Sequence, residues 1–269
     1  MSKIGAVVFV GFALAAGFAD AAVVDVAGGA LSVVRHISPA EMKASGVQVV
    51  RAAAPLAVNP LAIYSNITTF GGSAYGQGTA TGGITRLVAD DVTITTNPGV
   101  SNVTGIKFSV YNGNAVNKDV RARVRIYSAD GASLGAGLPN GPGTAIAGYS
   151  FTITTFAPGV AVLSGTLGTG FAVPAGATST IWMGLTFDNV GTTLGTTDAE
   201  LSNFGQGFFT PVDLGSSTDL LFETTAAGSF LSNNPAGAAL TFAGVPVANV
   251  GWELIVTTLP VDLQSLSVE

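Results

Sequence analysis

Polar and apolar residues alternate along this chain in short runs that turn residues divide. Candidate strands cover residues 84–95, 103–112, 120–128, 148–156, 160–167, 179–189, 219–224 and 251–259. Gly, Pro, Asn and Asp separate these runs, and no helix-period segment of ten residues follows Gly46. Strands with one buried face are typical of antiparallel sheets. The pattern therefore predicts an all-β fold, an antiparallel β-sandwich of jelly-roll-like type.

Residues 1–21 have the features of a signal peptide. Lys3 supplies a positive charge, residues 4–18 are an apolar run, and Ala19-Asp20-Ala21 offers a small-x-small cleavage site. An uncleaved membrane anchor is the rival interpretation, but a span takes about 20 apolar residues and this run is shorter. We therefore expect a secreted protein, extracellular or at the cell surface, with no membrane span after cleavage.

The rest of the chain divides by composition into three parts. Residues 22–60 look like an N-terminal extension, with a short helix over 38–46 and a Pro-containing linker over 52–60. Residues 61–258 carry the strand pattern and form the predicted sandwich domain. Residues 259–269 are a short C-terminal tail.

Charge and cysteine content exclude several classes of protein. Charged residues make up 10% of the chain and the net charge is −6, so we expect no nucleic-acid partner, because phosphate binding needs a concentrated cationic surface. The chain has no cysteine, which excludes disulfides, thiolate metal sites and a cysteine nucleophile. Stability must therefore come from burial.

One strand carries three of the ten basic residues of the chain. In residues 120–127, period-two geometry sends the aliphatic side chains to the core and the other set, Arg121, Arg123, Arg125 and Tyr127, to the opposite face. The functional interpretation is a cationic row that binds an anionic polymer or a carboxylate, with Tyr127 as a stacking ring. The structural interpretation is a strand face whose arginines meet acidic or carbonyl partners on neighbouring strands.

Trp182 presents a similar choice. It lies beside Gly184 on the face opposite to Ile181 and Met183, so it qualifies as a sugar-stacking ligand-binding residue. The alternative is that Trp182 packs under a loop or against the second sheet, because large aromatic residues are usually buried.

The sequence marks no catalytic residue. His36 is the only histidine and lies in the predicted extension, so a Ser-His-Asp triad or a zinc site would require it to fold back onto the domain. A glycosidase needs two carboxylates across a cleft, and Glu200, Glu223 and Glu253 are the candidates for such a pair. Nothing in the spacing marks a pair, so we expect a protein that is not an enzyme.

Calcium is the metal ion that the composition favours, because carboxylate, amide and carbonyl oxygens on loops hold it. The candidate ligands are Asp90, Asp91, Asp188 and Asn189; further acids are Asp130, Asp198 and Glu200. No EF-hand spacing occurs, and Asp-Gly and Asp-Asn pairs are also ordinary turn residues. We therefore expect no required cofactor and keep calcium as the ion to test.

Several short stretches carry a resemblance to a known group of proteins. They are Ile63-Tyr64-Ser65-Asn66, Leu87-Val88-Ala89-Asp90-Asp91-Val92-Thr93, Val110-Tyr111-Asn112, Gly148-Tyr149-Ser150-Phe151, Trp182-Met183-Gly184-Leu185-Thr186-Phe187-Asp188-Asn189 and Asn249-Val250-Gly251-Trp252-Glu253. Over residues 61–256 the chain resembles exported bacterial β-sandwich proteins of the PEP-CTERM-associated type. It has neither their Pro-Glu-Pro motif nor their transmembrane tail, so membrane sorting by that route is not expected. The resemblance implies a surface or matrix role and assigns no catalytic residue.

Three hypotheses for function follow. The leading one is a secreted non-catalytic protein of the cell surface or extracellular matrix with a structural or adhesive role. The alternative is a carbohydrate-binding module, assisted by calcium, whose partner is a polysaccharide. A further alternative is a filament subunit that self-associates when residues 22–34 add as a strand to the sheet edge of a neighbouring copy.

Overall fold

The computed structural model describes residues 26–29, 31–39, 56–78, 80–97, 101–173, 176–228, 233–242, 244 and 247–257. The predicted signal peptide, most of the predicted helix over 38–46 and the predicted tail lie outside the described residues. Within the described ranges, no helix is long and apolar enough to cross a membrane.

Strands dominate the described residues, as the alternation predicted. They are β1 (Val26–Ala27), β2 (Leu31–Ile37), β3 (Ala62–Ser65), β4 (Phe70–Gly76), β5 (Val88–Asn97), β6 (Ser101–Asn112), β7 (Lys118–Ser128), β8 (Ala145–Phe156), β9 (Gly159–Val173), β10 (Gly176–Asp188), β11 (Phe204–Phe209), β12 (Leu221–Thr224), β13 (Gly237–Leu240) and β14 (Trp252–Val256). A single-turn helix, α1 (Asp198–Leu201), begins at a capping box in which the Thr197 and Glu200 side chains bond to each other's backbone amides.

The strands form two sheets that pack face to face. Sheet A has the order β1-β8-β7-β10-β5-β12-β13. Sheet B has the order β2-β9-β6-β11-β4, and β14 pairs with both β6 and β3. Neighbouring strands are antiparallel except β1 and β8, which are parallel. The prediction of an all-β antiparallel sandwich is confirmed.

The core lies between the two sheets and is built by the period-two alternation. On β7 the residues predicted to face inward are all completely buried: Val120, Ala122, Val124 and Ile126. They join aromatic side chains from sheet B, including Phe108 and Trp252, in one hydrophobic cluster. This assignment of faces leaves Arg121, Arg123 and Arg125, the arginine row, on the outer face of sheet A.

The N-terminal strands belong to the sandwich, which differs from the predicted extension over 22–60. β1 pairs with β8 at the edge of sheet A, and β2 pairs with β9 at the edge of sheet B. The Gly28 amide donates to the Ser150 carbonyl at 2.8 Å and the Gly29 amide donates to the Thr166 carbonyl at 3.0 Å, so consecutive residues bond to both sheets. Gly28 suits this crossing because a Cβ there would lie 2.0 Å from the Phe151 ring. Unpaired strand edges account for the difference, because they can pair with any extended segment.

The predicted Pro-containing linker over 52–60 is described only from residue 56. There the chain runs over the outer face of sheet B, where Leu56 packs on a cluster that includes Val160, Val162 and Phe209. The outer face of sheet B is therefore covered in part by a segment outside the strands.

Candidate functional site

The arginine row of β7 lies beside an acidic residue of the neighbouring strand. β10 pairs with β7 in the register that places Asp188 opposite Arg121 and Thr186 opposite Arg123. Arg121 Nε donates to Asp188 Oδ1 at 2.7 Å, and Arg123 forms an ion pair with Asp188 Oδ2. Because Asp188 is 0% exposed, its charge is directed at the two guanidinium groups rather than at solvent.

Burial limits what the arginine row can bind. Arg125 is 2% exposed, and the side chains of Arg121 and Arg123 retain 19% and 18% of their exposure. Arg121 also donates to the Val190 carbonyl at 2.5 Å. For Arg121 and Arg123 this arrangement matches the structural interpretation, in which the arginines meet acidic and carbonyl partners on neighbouring elements.

Trp182 and Tyr127 lie opposite each other on β10 and β7 and are covered by a loop. Both are completely buried, and Trp182 Nε1 donates to the Asn140 carbonyl at 2.8 Å. The Trp182 ring meets Phe222 edge to face, with 6.1 Å between ring centroids. The β7–β8 loop covers the Trp182 and Tyr127 rings that a sugar would need to reach. In this structure Trp182 is therefore not an open stacking platform.

The same loop contains a Gly-x-Ser-x-Gly sequence, the pattern of nucleophile elbows. Residues 131–135 read GASLG, but this segment is a loop and not a strand-to-helix turn. Ser133 Oγ accepts the Gly135 amide at 3.3 Å. The only histidine of the chain, His36, lies on β2, where its Nε2 contacts the Pro158 carbonyl at 3.0 Å. The motif therefore has the sequence of an elbow without its structural context.

The three glutamates that were candidates for a catalytic pair have separate partners. Glu200 pairs with Lys118, and this hydrogen bond is the first cause that lowers the pKa of Glu200 to about 2. Glu223 pairs with Arg86 at 3.3 Å and accepts from the Tyr75 hydroxyl at 3.2 Å. The completely buried Glu253 pairs with Lys107 at 2.6 Å. None of these contacts brings two of the three carboxylates together.

Most of the candidate calcium ligands are also engaged in structural contacts. Asp188 holds the arginines, and Asn189 donates to the Thr196 carbonyl. Asp130 accepts from Ser128 Oγ at 2.6 Å, which is the first cause of its lowered pKa. Asp198 accepts the Gly82 and Gly83 amides at 3.0 and 2.7 Å. In the part of the chain that the structure describes, no three His, Asp or Glu residues form a metal-binding group.

Asp90 and Asp91 on β5 form a different kind of cluster with the segment that precedes β12. Asp90 accepts from Ser217 Oγ at 3.0 Å and from the Val250 amide at 2.9 Å. Asp91 accepts from Thr218 Oγ1 at 2.7 Å and from the Thr218 amide at 3.1 Å. Burial, followed by the neighbouring Asp91 charge, raises the pKa of Asp90 well above its usual range.

Two further polar side chains complete this cluster. Asn249 Oδ1 lies 3.2 Å from Ser217 Oγ, and the Tyr64 hydroxyl is fully buried nearby. Burial is the first cause that raises the pKa of Tyr64 well above its usual range, and the charges of Asp90 and Asp91 follow. Sequence reasoning found the two acids but missed Ser217, Asn249 and Tyr64, because no spacing signal links residues so far apart in the chain.

A surface groove of about 550 Å³ lies at the β6–β7 turn. Its lining includes Pro39, Tyr111, Asn112, Asn114 and Pro158. The asparagine amides of the groove are already used: Asn112 Nδ2 donates to the Phe156 carbonyl at 2.7 Å, and Asn114 Nδ2 donates to Asn112 Oδ1 at 2.9 Å. The groove therefore offers few free polar groups from these two side chains.

Comparison with known proteins gives no assignment. No family model, no curated protein and no solved structure matches the chain.

Proposed function

We propose that the protein is an exported, non-catalytic structural component of the cell surface or extracellular matrix, and that its copies associate through strand β2. The observation that carries this proposal is an edge strand with exposed apolar residues. β2 ends sheet B among the described strands, and Val33 on it is 64% exposed.

The geometry of β2 supports strand addition. One side of β2 pairs with β9, and an edge strand presents backbone donors and acceptors on its other side that a second chain can pair with. Edge strands that avoid association usually carry charged residues or proline. β2 reads LSVVRHI, and its one Arg or Lys, Arg35, donates to the Thr68 carbonyl at 3.5 Å. Val34 is exposed as well as Val33, so an apolar surface accompanies the open edge.

The way in which the N-terminal segment binds its own sheets supports the same proposal. The amides of Gly28 and Gly29 bond to strands of both sheets, so this segment recognises sandwich edges through its backbone. A neighbouring copy carries identical edges, and exchange of identical elements between copies is an established route to assembly. This segment includes much of the range over 22–34 that the sequence predicted to add to a neighbour.

The contacts of the chemically active side chains support a non-catalytic role. Asp188 neutralises arginines, Glu253 pairs with Lys107, and Glu223 pairs with Arg86. Each of these carboxylates has a partner that stabilises the fold. Hydrolysis of a polysaccharide or ester panel by the purified chain, abolished by changing one carboxylate, would contradict this role.

The test compares two valine substitutions. We expect the purified chain to form concentration-dependent oligomers or filaments in sedimentation velocity and electron microscopy. Val33→Lys places a charge at the β2 edge. It should raise the protein concentration needed for assembly at least tenfold. Val116→Lys is the matched control, because Val116 is 57% exposed on the β6–β7 turn and should leave assembly unchanged. A chain that stays monomeric, or a Val33→Lys variant that assembles as the unchanged protein does, refutes the proposal.

A further inference from the structure

The Ser217 hydroxyl lies near more hydrogen-bond acceptors than its single proton can bond to. Four oxygens lie near its Oγ: Asp90 Oδ1 at 3.0 Å, Asp91 Oδ1 at 3.4 Å, the Thr218 carbonyl at 3.2 Å and Asn249 Oδ1 at 3.2 Å. A hydroxyl donates one hydrogen bond, and carboxylate and carbonyl oxygens donate none. With both carboxyl groups ionised, most of these contacts join two oxygen atoms that have no proton between them.

The orientation of the Asn249 amide does not remove the excess. If the amide nitrogen faced Ser217 it would donate to the hydroxyl, since the nitrogen and oxygen of an amide are interchangeable in shape. Three acceptor oxygens from Asp90, Asp91 and Thr218 would still face one proton. Oxygen atoms collected in this way are the ligands that a hard cation takes in proteins.

A separate observation from another strand points to the same place. Tyr64 comes from β3, is completely buried, and its hydroxyl has no hydrogen-bond partner. The Tyr64 ring lies against the segment that carries Ser217, because a Cβ on Gly215 would be only 2.7 Å from the ring. A buried hydroxyl without a hydrogen-bond partner destabilises the fold, and an oxygen that ligates a cation does not carry this penalty.

We propose that Asp90, Asp91, Ser217 and Asn249 form a calcium-binding site, with the Tyr64 hydroxyl beside it. The spacing of the oxygens fits this ion. Ligands about 2.4 Å from calcium and about 72–90° apart are roughly 2.8–3.4 Å from each other. The four distances from Ser217 Oγ, 3.0 to 3.4 Å, fall in this range.

Charge and access are also suitable for calcium. Two carboxylates balance one divalent cation, and the groups that hydrogen-bond to them, including Ser217, Thr218 and the Val250 amide, are neutral. Asp90 and Asp91 are buried, whereas Thr218 is exposed and Ser217 is half-buried, so the ion has a path from solvent. Sites with few carboxylates bind calcium at about 0.1–1 mM, the range of extracellular modules.

Calcium bound at this site would tie β5 to the segments that contain Ser217 and Asn249. Those segments precede β12 and β14, which lie in different sheets. A ligand that binds only the folded state raises its stability. Calcium is therefore expected to stabilise the sandwich in addition to any role in assembly.

The test uses the purified chain with CaCl2, EDTA and Tb³⁺. Calcium at 10 mM, about tenfold to a hundredfold above this Kd, should raise the Tm by about 3–10 °C for a domain of this size. Tb³⁺ should show luminescence on tyrosine excitation, because the Tyr64 ring lies beside the site, and calcium should compete for it. No Tm shift and no sensitised Tb³⁺ luminescence at 10 mM ion would overturn the proposal.

Variants separate this site from nonspecific binding at surface acids. Asp91→Asn and Ser217→Ala should each weaken calcium binding at least tenfold, while Asp130→Asn, which changes an exposed acid in a turn, should not. Tyr64→Phe should lower the Tb³⁺ luminescence and retain the calcium-dependent Tm shift. If Asp91→Asn does not fold, Ser217→Ala keeps the test decisive, because it retains both carboxylates. Equal calcium binding by Ser217→Ala, Asp130→Asn and the unchanged chain would refute the site.

Discussion

Replacing Asp188 with asparagine tests whether the arginine row is held by this one carboxylate. Asp188 is completely buried and contacts Arg121 and Arg123, whose side chains retain only 19% and 18% exposure. Asparagine keeps the shape of the side chain and removes the charge. The perturbation therefore leaves two guanidinium groups on the outer face of sheet A without their common counter-charge.

The size of the effect follows from burial. Removing one partner of a buried ion pair costs about 3–5 kcal/mol, and we expect about 3 kcal/mol because the arginines keep some contact with water. One kcal/mol corresponds to about 2–4 °C for a domain of this size, so the Tm should fall by about 6–12 °C. Salt should change this loss little, because buried pairs are weakly screened.

The assay is urea unfolding and calorimetry of four proteins in a double-mutant cycle. They are the unchanged chain, Asp188→Asn, Arg121→Gln and the double variant. The two single changes should be coupled by at least about 1 kcal/mol, since they remove one interaction. Asp130→Asn serves as the control and should cost less than about 1 kcal/mol, because its carboxylate is exposed and meets no cation among its hydrogen bonds. A loss below about 1 kcal/mol for Asp188→Asn, with no coupling to Arg121, would refute the reasoning.

Two further predictions concern Trp182 and Glu200. Trp182→Ala should lower the free energy of unfolding by about 3–5 kcal/mol, because it empties a buried site under the β7–β8 loop, and it should leave binding on a glycan array unchanged. Loss of glycan binding by folded Trp182→Ala protein would restore the stacking hypothesis. Glu200 has a pKa lowered from 4.5 to about 2, so its ionised form adds stability above pH 4.5, and that stability is lost as the pH falls toward 2. Glu200→Gln should flatten the dependence of Tm on pH between 4.5 and 2, and an unchanged profile would contradict this assignment.

The site shows where prediction from the sequence reaches its limit. Asp90 and Asp91 are candidates on their own, because adjacent acids in a charge-poor chain are conspicuous. Ser217 and Asn249 are ordinary polar residues in the sequence. They become candidate ligands only because the fold places them next to the two acids. The sequence leaves two interpretations of Trp182 and favours burial, and the Asn140 carbonyl shows that a loop covers the ring. Burial by a loop leaves no periodic signal.

The sequence by itself determined the fold class and the two faces of each long strand. Alternation with period two is a local property of extended chain, so the inward set of β7, from Val120 to Ile126, was fixed without knowledge of its neighbours. Only the tertiary structure decided what the outward set meets. Arg121 meets Asp188 because β10 pairs with β7 in one register, and β2 joins the sandwich because an open sheet edge accepts it. Pairing between distant strands depends on register and edge availability, and neither quantity is encoded in any short stretch of the chain.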